Sequence, residues 1–149
     1  MNQDTTRREA LLLLATGAGA LAVMSTAGAH ATAPEMLAGH SAMMDDCVAE
    51  CEKANRACLE ASRYCLERSG AHVASAHLRL LLDCAEICQT SANFMLRGSA
   101  VHATVCGTCA EICERCAESC ETFSGDSKMA ACADTCRKCA KSCREMAKM

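Results

Sequence analysis

The stretch CGTCAEICERCAESC, from Cys106 to Cys120, decides the fold. Its cysteines, Cys106, Cys109, Cys113, Cys116 and Cys120, follow one another at steps of 3, 4, 3 and 4 residues, the spacing that keeps side chains on one face of a helix. His102 and Phe123 extend the same face at either end. Glu111, Glu114, Arg115 and Glu118 fall on the other faces and are read as solvated surface. The pattern is that of an inward seam in a helical bundle, with thiols where leucine and isoleucine ordinarily stand.

Working outward, the same register recurs three times. The last helix carries Met129, Cys132, Cys136, Cys139, Cys143 and Met146 on its seam. The first runs Met36, His40, Met43, Cys47, Cys51, Ala54, Cys58, Ala61 and Cys65, and the second His77, Leu81, Cys84, Cys88, Ser91 and Met95. Every one of the 15 cysteines lies on a seam. Beyond Pro34 the strong breakers are Gly70, Gly98 and Gly125, with Gly107 internal, and they place helices near 35–69, 71–97, 99–124 and 126–147. Ser69, Ser99 and Asp126 are the expected caps. Connections this short reverse the chain at each turn, which predicts an all-α, antiparallel up-down-up-down four-helix bundle with a cysteine-lined core, spanning residues 32–149.

A chain of 149 residues with 2% aromatics and no tryptophan holds one domain and a modest core. Replacing seam leucines by thiols gives up apolar area, so something other than hydrocarbon must fill the bundle. The net charge of −3, without a run of one sign, argues against nucleic acid and anionic lipid as partners.

Ahead of the bundle stand Arg7-Arg8, an apolar stretch to about Met24, and the small-residue segment ending Ala29-His30-Ala31. Residues 1–31 are read as a cleaved twin-arginine signal peptide, which sends the bundle to the periplasm or the lumen of an internal membrane. The competing readings are a general-secretion leader and an uncleaved anchor, against which the glycine-interrupted apolar run is short. Cleavage after Ala31 removes two basic and two acidic residues and leaves the net charge at −3. No membrane association is expected after cleavage.

The thiols have several possible partners. A disulfide framework suits an exported protein, yet an odd count leaves a thiol over, and cysteines one turn apart on a rigid helix strain the geometry. Zinc at pairs such as Cys109 with Cys113 would leave each four-thiolate site at charge −2, with no inward Lys or Arg to offset it. Iron–sulfur clusters share that difficulty. Cysteine as a plain small hydrophobe explains one or two buried thiols but not a continuous lining. Cu(I) is monovalent and soft, so one ion per thiolate is neutral and a bridging thiolate can serve two ions.

The antiparallel order collects Met36, His40, Met43, Met44, Met95, His102 and Met146 at one end. Their thioethers and imidazoles suit a port for copper, with His40 and Met43 foremost and Met44 beside the stripe; methionines closing a bundle end is the other reading. The opposite end gathers Cys65, His72, His77, Phe123 and Met129, with Tyr64 nearby, and reads as closed. His72 and His77 are taken there as capping or surface residues rather than ligands.

With the runs Cys47 to Cys65, Cys84 and Cys88, Cys106 to Cys120, and Cys132 to Cys143, preceded by the Met/His group, the chain resembles the copper storage protein family. The likeness is to its exported, twin-arginine-bearing branch from methane-oxidising bacteria. The resemblance implies many Cu(I) ions per bundle, a homotetramer, and copper held for a recipient such as particulate methane monooxygenase or a chaperone. No nucleophile, base and orienter stand together, so a store is expected rather than an enzyme. The alternative functions are a buffering or detoxifying copper sequestrant and, second, a disulfide-stapled or zinc-binding structural bundle.

Overall fold

Thiols on every seam come to face one another across four helices: α1 (Ala33–Leu66), α2 (Ser75–Leu96), α3 (His102–Glu121) and α4 (Ser127–Met146). The computed structural model describes residues 33–149, with side chains from Gly39 onward; the expected leader at 1–31 and the side chain of Met36 lie outside the described residues. α1 packs on α2 and α4, and α3 packs on the same two, closing a four-cornered bundle. The register is antiparallel. Cys47 near the start of α1 meets Cys143 near the end of α4, whereas Cys58 farther along α1 meets Cys132 near the start of α4. Among the described residues no helix is long and apolar enough to cross a membrane.

The turns follow local chemistry. Gly98 adopts a positive φ of 62°, and the Gly98 and Ser99 amides donate to the carbonyls of Met95 and Phe94 at 2.9 and 3.0 Å. This double closure of α2 requires a left-handed residue, which glycine supplies without a Cβ clash. Asp126 caps α4: its Oδ1 accepts from the Lys128 and Met129 amides at 2.9 and 3.1 Å.

The helices are shorter than the seam pattern predicts, because residues at their ends serve the turns. Gly70–Val73 forms a separate 3-10 turn, so α2 starts at Ser75 instead of 71. Ser69 makes no capping bond, and Ser99 accepts only a long 3.5 Å bond from the Val101 amide while α3 begins at His102. Gly39, like Gly107, sits inside a helix.

The core is built almost wholly from cysteine and alanine, with Leu81, Met129 and Met146 its largest fully buried side chains. Full burial of one leucine contributes about 1.5–3 kcal/mol, so a seam filled by smaller groups holds the bundle less firmly than a leucine seam would. Surface contacts stitch the helices from outside. Asn55 Nδ2 donates to the Ala85 carbonyl at 2.9 Å, Lys128 pairs with Glu60 at 3.0 Å, and Arg137 joins Glu114 and Glu121 across α3 and α4. Arg144 shares Glu114 with Arg137, so part of the acidic face predicted to be merely solvated is organised into an ion-pair chain.

Candidate metal centre

All fifteen cysteines are free thiols, and none is more than 2% exposed. Their sulfurs form overlapping groups along the bundle axis. Near the starts of α1 and α3 stand Cys47, Cys106 and Cys143; next come Cys51, Cys109, Cys139 and Cys143, then Cys88, Cys109, Cys113 and Cys139. Cys58, Cys84, Cys116 and Cys136 follow, and Cys116, Cys120 and Cys132 complete the series. Successive groups share a member or are joined by one short step, Cys84 to Cys113 at 3.6 Å. Only Cys65 belongs to none of them.

Within each group every ligand atom lies within 4.8 Å of the others. Individual sulfur pairs are closer, from 3.4 Å for Cys88 with Cys113 to 4.0 Å for Cys58 with Cys132. With metal–sulfur bonds of about 2.3 Å, as in zinc sites, a linear S–metal–S unit spans about 4.6 Å and a trigonal one about 4.0 Å between sulfurs. The thiols are thus already spaced for two- and three-coordinate metal, and Ala54, Ala61 and Ser91, all fully buried on the seams, keep bulk out of the axis.

Electrostatics narrows the choice of metal. Among the described residues the only polar or charged side chains buried are Ser62, His77 and Ser91, so no lysine or arginine is available inside to balance excess negative charge. Burial disfavours the charged form of these thiols, while hydrogen bonding among them pushes Cys58, Cys88 and Cys143 up and Cys84, Cys109 and Cys132 down, so each thiolate in the empty core leans on neighbours that keep their protons. A metal must displace those protons and leave the array uncharged. One monovalent soft cation per thiolate does both; a divalent ion held by four thiolates does not.

A family model described as copper storage protein matches residues 40–148. The chain belongs to the copper storage protein family. The Nmul_A1745 protein of Nitrosospira multiformis is 50% identical to it in sequence and superposes with a TM-score of 0.67, covering 71% of this chain and 95% of that one. The Cu(I)-bound copper storage protein BsCsp3 is 34% identical at a TM-score of 0.67, over 70% of this chain and 98% of its own. The apo form of copper storage protein 3 from Bacillus subtilis is 35% identical at 0.63, over 69% and 97%. No curated protein sequence matches the chain.

In this member of the copper storage family the two bundle ends differ. At the first, the rings of His40 and His102 meet edge-on with centroids 6.5 Å apart. The Ser99 carbonyl oxygen lies 2.8 Å from His102 Nδ1 and accepts its proton, which in the neutral ring leaves the lone pair on Nε2, and Nε2 is buried without a partner. Met95 and Met146 are buried nearby in sequence register. Met44, which the seam pattern ranks below Met43, is the one packed against the core, while Met43 is 40% exposed. The two methionines precede Cys47 by three and four residues, and periodicity alone does not separate those positions.

At the other end Tyr64 Oη donates to Asp126 Oδ2 at 2.9 Å, and His72 Nε2 donates to the same oxygen at 3.0 Å. Phe123 stacks between His72 and His77, with centroids 4.4 and 4.7 Å away. His72 thus fastens the turn. His77 departs from its surface or capping assignment: it is 5% exposed and its Nε2 faces Cys65 Sγ at 3.6 Å. The signal was in the sequence, since His77 opens the seam that runs on through Leu81 and Cys84.

Proposed function

We propose that this protein is an exported store that fills its bundle with many Cu(I) ions and releases them to a copper-requiring recipient. The observation that carries the proposal is the unbroken succession of buried thiol groups with no buried lysine or arginine among the described residues, a combination neutral only with monovalent metal. Cysteines close in on the axis from all four helices and none is more than 2% exposed, which supports retention of the ion rather than turnover.

Copper enters past His40, His102 and Met44, whose neutral donors hold Cu(I) more loosely than thiolate and pass it to Cys47, Cys106 and Cys143. The Arg7-Arg8 leader supports twin-arginine export to the periplasm or an internal-membrane lumen, in which the thiols fold before meeting oxidant. Exposed Leu59 and Leu66, a heptad apart on α1, support self-association into the homotetramer of the exported branch. A copper monooxygenase of the particulate methane type is the recipient consistent with that branch.

The test is anaerobic titration of the reduced mature protein with Cu(I) against a competing chelator, with thiols counted before and after. Saturation at many ions, with free thiols lost in step, is expected; saturation at one or two ions overturns the store. Size-exclusion chromatography with light scattering and N-terminal sequencing of the exported form test the tetramer and the leader.

A further inference from the structure

Cys65 is the one cysteine outside the shared thiol groups, yet it is fully buried and faces two other soft donors. His77 Nε2 lies 3.6 Å from its sulfur and Met129 Sδ 3.8 Å. His77 is 5% exposed and Met129 fully buried. The three residues come from α1, α2 and α4, so the arrangement is a product of the packed bundle and not of one local turn.

We propose that Cys65, His77 and Met129 form a separate mixed thiolate–imidazole–thioether site for a single Cu(I) ion at the closed end of the bundle. The assignment rests on the copper-storage function proposed above and goes beyond the all-thiol array. With metal–sulfur and metal–nitrogen bonds of about 2.3 and 2.0 Å, a trigonal ion sets sulfur and nitrogen about 3.7 Å apart and two sulfurs about 4.0 Å apart. The observed separations of 3.6 and 3.8 Å need little adjustment.

The His77 ring is held from its far side as well. His77 Nδ1 lies 2.8 Å from Ser119 Oγ. With Nδ1–H donated to that hydroxyl, Nε2 presents its lone pair to the space beside Cys65. Phe123 packs on the ring at 4.7 Å and fixes its plane. Burial holds the imidazole below its ordinary pKa, which keeps it neutral. One thiolate, two neutral donors and one Cu(I) sum to zero charge; the proton leaving the Cys65 sulfur as the metal–sulfur bond forms passes to solvent.

The site differs in kind from the array. Its single thiolate is not shared, and two of its three donors are the weaker sort, so it holds copper less tightly than the bridging sulfurs and fills after them. It is a terminal position at the far end from the His40 and His102 port.

The experiment follows the His77 side-chain nitrogens by ¹H–¹⁵N NMR while the full mature chain is titrated anaerobically with Cu(I). The expected result is a shift of Nε2, with Nδ1 little changed, in the last part of the titration. In parallel, His77→Phe and Met129→Leu should each lower saturating capacity by about one Cu(I) per chain while far-UV circular dichroism stays that of the parent. A wild-type Nε2 resonance that does not move through saturation overturns the terminal site, whether or not the variants fold. If the wild type loads many ions and Nε2 stays still, only this site falls; if it saturates at one or two ions, the store itself falls.

Discussion

Cys109 and Cys139 sit together in two four-thiol groups at once, the one completed by Cys51 and Cys143 and the one completed by Cys88 and Cys113. Removing such a shared sulfur breaks sites on both sides of it. Cys139→Ser should therefore lower Cu(I) capacity by more than one ion per chain, whereas Cys120→Ser, in a single group at the margin, should cost one at most. Native mass spectrometry of the anaerobically loaded variants measures the difference.

Loading speed and capacity should separate at the port. His40→Ala with His102→Ala removes the paired imidazoles, and Met44→Ala removes the packed thioether; each should slow Cu(I) uptake from a chelator with little change in final stoichiometry. Met43→Ala, at an exposed position, should slow it less. Stopped-flow uptake kinetics checks the ranking, and an unchanged rate in the double histidine variant would return this end to a simple closure.

The empty protein should lose stability on the alkaline side. Burial, followed by the charges of Asp126 and Cys132, pushes the Cys65 thiol up, and hydrogen bonding to other thiols and burial do the same for Cys58 and Cys88. The unfolded chain releases these protons near the ordinary thiol pKa of about 8.5, while the folded chain keeps them. Stability is then fully present below that pH and falls above it, by about 1.4 kcal/mol per pH unit for each thiol still protonated in the native state. Urea melts of reduced apoprotein between neutral and alkaline pH measure the slope, and Cu(I) loading should abolish it.

Two turn residues carry separate predictions. Gly98→Ala places a Cβ in the left-handed region at φ 62° and should destabilise the apoprotein by about 1 kcal/mol in urea melts. Asp126, held at about 2 first by the Met129 amide, should stabilise the fold above the ordinary carboxylate pKa and lose that contribution as pH falls toward 2. Asp126→Ala should lower Tm at neutral pH and flatten the acid limb of the melt.

How much was legible beforehand depended on periodicity. The 3-4 seam spacing from Cys47 to Cys143 contained the helices and their thiol lining, because a seam register is a global constraint repeated on every helix, and the short connections at Gly70, Gly98 and Gly125 contained the antiparallel order. Helix ends were less legible: the 3-10 turn at Gly70–Val73 and the missing Ser69 cap depend on how two helices meet, which no single segment encodes. Met44 and Met43 fall on either side of a spacing ambiguity that only packing resolves. His77 was placed on the correct face but given a capping or surface role, since its partners Cys65 and Ser119 come from two other helices.

The sulfur of Cys47 touches that of Cys143, 96 residues along the chain, and the contact joins the first helix to the last. Each ion seated there works as a rivet between distant parts of the backbone. Filling the store consequently toughens its container, and draining it loosens the seams one rivet at a time. Amide hydrogen exchange would then chart the route of withdrawal, because the helix ends that fray first mark where the metal has already gone.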